Sequence, residues 1–186
     1  MASGNYSIWI NGELKPEDQA TVSVFDSGFV LGDGVWEGVR VVAGRPAFLD
    51  AHLERLRQGA QALMLAEVPE DAILRRAVTE TIEGNGLVDE AHLRIMLTRG
   101  VRREPYQNPR LAGSGPTLVV IPGHHPVTDE QLTRAQTLFT VHVRRGAPDV
   151  QDPRINSHSK LNCILGCIQA NVAGADEALM LDPDGF

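Results

Sequence analysis

Lys160 is one of only two lysines in the 186 residues, the other being Lys15. It closes the polar run Asn156-Ser157-His158-Ser159-Lys160 and stands at the start of an apolar pattern carrying Leu161, Ile164 and Leu165. The positive end of a helix macrodipole disfavours a cation placed there. A lysine set against the local field and partly desolvated has a lowered pKa and can act as a neutral amine. Such an amine forms Schiff bases with carbonyl compounds. On this stretch alone, an ordinary lysine with its head in water is the simpler reading.

Other residues invite chemistry less strongly. Arg94, Arg99, Arg102, Arg103 and Arg110 make a local basic cluster in an acidic chain. They read either as a solvated rim or as a gate for an anionic substrate, because arginine grips carboxylates with two parallel bonds. Arg55 lies on the solvent-leaning side of its helix, where an ion pair with Glu54 or Asp50 would be ordinary. The run Gly32-Asp33-Gly34-Val35-Trp36-Glu37-Gly38 superficially resembles a dinucleotide fingerprint. Its third glycine is misplaced and a strand follows it, so the plainer reading is a turn needing positive φ. His158, Cys163 and Cys167 lack a closely spaced cysteine pair and a fourth ligand, so no metal site is expected.

Composition narrows the class. Hydrophobic residues make up 42% and charged residues 22%, as in a globular protein with a real core. A net charge of -7 argues against a general nucleic-acid binder. No apolar run is long enough to span a bilayer, and the first residues show no secretion signal. Cys163 and Cys167 give no disulfide framework, so a reducing, cytoplasmic setting is expected.

The elements that must hold these residues follow from periodicity. Asn11-Gly12 between alternating stretches predicts a hairpin. Residues 21–25 and 47–49 read as short strands. In residues 35–42, Val35, Glu37, Val39 and Val41 share one face. Asp50 is the expected cap of a helix carrying Leu53, Leu56, Ala60 and Leu63. A second helix runs from about Pro69 to the Gly84-Asn85-Gly86 stop, with Ile73, Ala77, Val78, Thr81 and Ile82 inward. Leu93, Ile95 and Leu97 mark a strand, residues 101–115 a loop, 117–121 a strand and 135–143 another. Leu161, Ile164, Leu165, Ile168 and Val172 form the buried stripe of a last helix, followed by a strand at 178–181. Asp182-Pro183-Asp184-Gly185 is a hairpin turn with no returning strand, so the second domain is expected to be truncated. Strands do not alternate regularly with helices, which favours an α+β class. The expected division is residues 1–122 as a first domain, 123–133 as a linker, and 134–186 as the incomplete start of a cofactor-binding domain.

Taken in order, Asn11-Gly12, Val24-Phe25-Asp26-Ser27-Gly28 through Trp36-Glu37, Asp50-Ala51-His52-Leu53-Glu54-Arg55-Leu56, Arg94-Ile95 through Thr98-Arg99-Gly100, and Gly174-Ala175-Asp176-Glu177 resemble the fold-type IV pyridoxal-phosphate enzymes, or class IV aminotransferases. That group includes branched-chain and D-amino-acid aminotransferases and aminodeoxychorismate lyases. The resemblance implies a two-domain fold, pyridoxal 5'-phosphate as cofactor, and a homodimer. It implies Lys160 as the lysine bonding the cofactor aldehyde, Arg55 as the phosphate-binding arginine, Trp36 as a wall of the substrate pocket, and Arg103 as a substrate-binding arginine. Transamination of a branched-chain-like amino acid with a 2-oxo acid is the activity implied. Elimination of pyruvate, or a non-catalytic remnant, are the alternatives. The family's carboxylate for the pyridine nitrogen would lie beyond Phe186, and its tyrosine after the lysine is replaced by Leu165. The loop beginning Val101-Arg102-Arg103 lacks the Arg-x-His trap of the D-amino-acid enzymes.

Overall fold

The computed structural model describes residues 6–186. The chain divides into two compact units, Met1–Pro126 with Asn156–His158, and Val127–Ile155 with Ser159–Phe186.

In the first unit, β1 (Ser7–Ile10) and β2 (Glu13–Pro16) form the expected hairpin, with Ile10 opposite Glu13. Its turn holds Asn11 at φ 47 and Gly12 at φ 106, the left-handed conformation a two-residue hairpin demands. The strand expected at 21–25 does not form. Asp26 ends that stretch instead, its carboxylate accepting the Gly28 N–H at 2.8 Å to cap α1 (Ser27–Leu31). Val22, Val24 and Phe25 are left exposed, so their alternation has no sheet to pack on.

Then come β3 (Gly34–Val42), β4 (Arg45–Pro46), α2 (Leu49–Ala62), α3 (Asp71–Gly84), β5 (Ala91–Thr98) and β6 (Thr117–His124). The strands make one antiparallel sheet in the order β2-β1-β6-β5-β3-β4. Strand alternation sends Val35, Val39 and Val41 of β3, Leu93, Ile95 and Leu97 of β5, and Leu118 and Val120 of β6 into the core. Helix α2 packs on β3 and α3 on β1 and β6, burying Leu53, Leu56, Ala60, Leu74, Ala77, Val78 and Ile82. Each large apolar side chain among these contributes about 1.5–3 kcal/mol.

Three expectations shift here. The returning strand is only Arg45–Pro46, because Phe48 turns left-handed at φ 51 and is itself the cap residue of α2, displacing Asp50. In α3 the inward position is Leu74, while Ile73 is 40% exposed. Strand β6 runs through Pro122 to His124, where a linker was expected, since Ala91 and His92 of β5 continue to pair with it. Beyond Val120 that strand no longer pairs with β1, and an edge tolerates proline.

The second unit holds α4 (Asp129–Thr133), β7 (Leu138–Thr140), α5 (Pro148–Gln151), α6 (Leu161–Val172) and β8 (Glu177–Leu179). Strands β7 and β8 pair in parallel, so the connection through α6 is a β-α-β unit. The strand expected over 135–143 is paired only at 138–140. The apolar stripe of α6 is not buried as expected: Leu161, Ile164, Leu165, Ile168 and Val172 are all at least 42% exposed. What faces the two strands is the small-residue side, Gly166 and Ala170. No helix among the described residues is long and apolar enough to cross a membrane.

Candidate functional site

Glu37 sits in the middle of β3, on the face that α2 covers, and is fully buried. A carboxylate stripped of water is costly unless its lone pairs are taken up. Arg55, 18 residues away on α2, donates from Nε to Glu37 Oε1 at 2.6 Å and from Nη2 to Oε2 at 2.5 Å. His52 Nδ1 lies 2.8 Å from Oε2, and Asn156 Nδ2 donates to Oε1 at 3.5 Å. Positions 52 and 55 are three apart on α2, so both side chains reach the same carboxylate. The paired carboxylate holds the Arg55 guanidinium above its ordinary pKa, through the hydrogen bond first. The partner of Arg55 is therefore neither Glu54 nor Asp50.

Next to Glu37 in sequence, Trp36 points to the opposite face of the sheet. Its ring carries the Arg94 guanidinium, whose carbon lies 3.9 Å from the ring centroid. Desolvation lowers the Arg94 pKa. The residues Asn156–His158 run along the edge of β3 not taken by β5. Trp36 N–H donates to Asn156 O at 2.9 Å, His158 N–H to Gly34 O at 3.0 Å, and Trp36 Nε1–H to Ser157 O at 3.1 Å.

His158 explains two of the glycines. A Cβ on Gly28 would lie 3.0 Å from His158 Nδ1, and one on Gly34 would lie 3.0 Å from Cε1 and 2.6 Å from Leu97 O. Neither has positive φ; Gly32 does, at φ 67. The glycines at 28 and 34 are thus there for close approach, where the sequence suggested turn conformation. The imidazole bonds to Val35 O at 3.0 Å, and burial is the largest influence lowering its pKa.

Lys160 is the N-cap residue of α6, half-buried, and its carbonyl accepts the first helical bond from Ile164 N–H at 2.9 Å. It belongs to the second unit and Arg55, Trp36 and Arg103 to the first. The arginine cluster resolves into different duties. Arg99 grips Asp33 at 2.7 and 3.1 Å and also caps the carbonyls of Leu63 and Met64. Arg102 is buried and donates to Ser27 Oγ, Tyr106 O and Asn108 O, tying α1 to the loop over 101–115. Both are internal struts, neither rim nor gate. Arg103 is exposed in that loop, and its backbone N–H donates to Leu111 O at 3.0 Å. Among the described residues, no group of three histidine, cysteine or acidic side chains is placed to hold a metal ion.

Sequence reasoning missed the roles of Glu37, His52 and Asn156, and the stacking of Arg94 on the Trp36 ring. A signal existed for the first: a carboxylate on the apolar face Val35-Glu37-Val39-Val41 has to find a cation.

The family described as "Amino-transferase class IV" matches residues 34–186. A putative branched-chain-amino-acid aminotransferase of Methanocaldococcus jannaschii is 40% identical over 182 residues, covering 96% of this chain and 60% of that protein. Branched-chain-amino-acid aminotransferase-like protein 2 of Arabidopsis thaliana is 38% identical over 178 residues, covering 96% of this chain and 32% of its own length. Among solved structures, the fold IV-transaminase from Curtobacterium pusillum superposes at a TM-score of 0.74 and 27% identity, over 93% of this chain and 59% of that one. The chain thus spans roughly one third to three fifths of these relatives.

Proposed function

The chain belongs to the class IV amino-transferases, and from that membership we propose that it serves pyridoxal-phosphate-dependent transamination between a branched-chain-like amino acid and a 2-oxo acid. Relatives named as branched-chain aminotransferases over nearly its whole length support that substrate class above the pyruvate-eliminating alternative. The observation that carries the reading is the Arg55 guanidinium clamped over the buried Glu37 carboxylate. Glu37 takes Nε and Nη2, so the Nη1 donors stay outside the pair, and a fixed cation with a spare edge suits a phosphate monoester. The residues present therefore fit the cofactor.

When bound, pyridoxal phosphate supplies the electron sink. Lys160 provides the covalent attachment, and its Nζ moves the proton at the substrate α-carbon, a task that needs a neutral amine. Arg55 holds the phosphate. Trp36 walls the side-chain pocket. Of the arginines, Arg94 rather than Arg103 is held on the Trp36 ring, so we give it the substrate carboxylate. The free thiols Cys163 and Cys167 support a reducing cytoplasmic location. A homodimer, as the family resemblance implies, completes the proposal.

Only Lys15 and Lys160 offer side-chain amines, and Lys15 lies on β2 paired with Glu13 at 3.3 Å. Incubation with pyridoxal phosphate, borohydride reduction and peptide mapping should put the mass increase on Lys160, and Lys160→Ala should abolish it. A wild-type protein left unlabelled at Lys160 refutes the assignment. Pyruvate released without an amino acceptor would turn the reading to the lyase.

A further inference from the structure

Burying a carboxylate on an apolar strand face is an expensive way to fill a core position, and valine already serves at Val35, Val39 and Val41 of the same strand. The expense has a geometric product. Glu37 has 0% of its side chain exposed, while the Arg55 side chain it grips is 54% exposed. An arginine that exposed would ordinarily sample many rotamers. Here two parallel bonds lock the guanidinium plane. The carboxylate is itself fixed from a second direction by His52 Nδ1 at 2.8 Å and by Asn156 Nδ2 at 3.5 Å.

We propose that Glu37 is a positioning residue, which orients the Arg55 guanidinium so that its Nη1 edge meets the cofactor phosphate, with His52 and Asn156 bracing the carboxylate. The inference rests on the cofactor reading given above. It carries a sign that distinguishes it from a purely structural role. Glu37 partly neutralises Arg55, so removing its charge alone would strengthen binding of an anion by Coulomb's law. Loss of the fixed orientation weakens it. A charge-assisted bond made only in the right geometry outweighs the gain in a site open to water, where charges are screened.

The test compares pyridoxal 5'-phosphate with pyridoxal, which lacks the phosphate, in wild type, Glu37→Gln and Glu37→Asp. Equilibrium affinities are read by titration, and the Arg55 Nε–H resonance by nitrogen-15 NMR. In Glu37→Gln the preference for the phosphorylated aldehyde should fall by about tenfold or more, pyridoxal affinity should hold, and the slowly exchanging Arg55 Nε–H signal should vanish. Glu37→Asp, which keeps the charge but withdraws it by one methylene, should fall between, and it serves if the glutamine variant does not fold. An unchanged or increased preference for the phosphorylated aldehyde overturns the inference while leaving the cofactor reading intact. A wild type that shows no such preference overturns both.

Discussion

Replacing Arg55 by methionine keeps most of the stem and deletes the guanidinium, leaving Glu37 with His52 at 2.8 Å as its closest donor. Breaking a fully buried ion pair from one side costs about 3–5 kcal/mol, and an exposed pair about 0–1. The pair is mixed, since the Glu37 side chain is 0% and the Arg55 side chain 54% exposed. The stranded carboxylate dominates, discounted because the same deletion lets water approach it, so about 2 kcal/mol of stability should be lost. The double variant Glu37→Gln/Arg55→Met strands no charge and should lose under about 1 kcal/mol more than Glu37→Gln alone, a coupling readable from a double-mutant cycle.

Urea unfolding of the four proteins measures the coupling. Additive losses would refute the view that Glu37 is a buried charge depending on Arg55.

Gly34→Ala would put a Cβ 2.6 Å from Leu97 O and 3.0 Å from the His158 ring. It should cost about 1–3 kcal/mol by overpacking. An unchanged melting temperature would contradict the close approach. His158 has its folded pKa lowered, chiefly by burial. Stability should thus be full above the unfolded value of about 6.5 and decline as pH falls toward the lower folded one. In His158→Gln that part of the slope disappears. His92, whose pKa is also lowered, by desolvation first, adds a slope of the same sign that the His158 substitution leaves in place.

Much of this architecture was legible in the residues themselves. The Asn11-Gly12 turn, the inward valines of β3, the two central helices and the start of α6 at Lys160 all rest on local chemistry: dihedral preference and side-chain period. These act over a few residues, and the sequence displays them directly. Errors arose where a local pattern lacked a partner. Residues 21–25 alternate like a strand, yet Asp26 ends them with a helix cap. The stripe of α6 marks the face that wants covering and says nothing about what packs there.

Residue order alone therefore settled the strand faces and the hairpin, and limited the side-chain amines to Lys15 and Lys160. Only tertiary structure decided that Arg55 answers Glu37 and not its helix neighbours, that His158 inserts between Gly28 and Gly34, and that Arg99 and Arg102 are internal struts. The pairings of Arg55 with Glu37, His158 with the two glycines, Arg99 with Asp33 and Arg102 with Ser27 each join groups at least 18 residues apart. A charge buried by the sheet takes whichever counter-charge the fold delivers, and spacing along the chain does not specify which one that is.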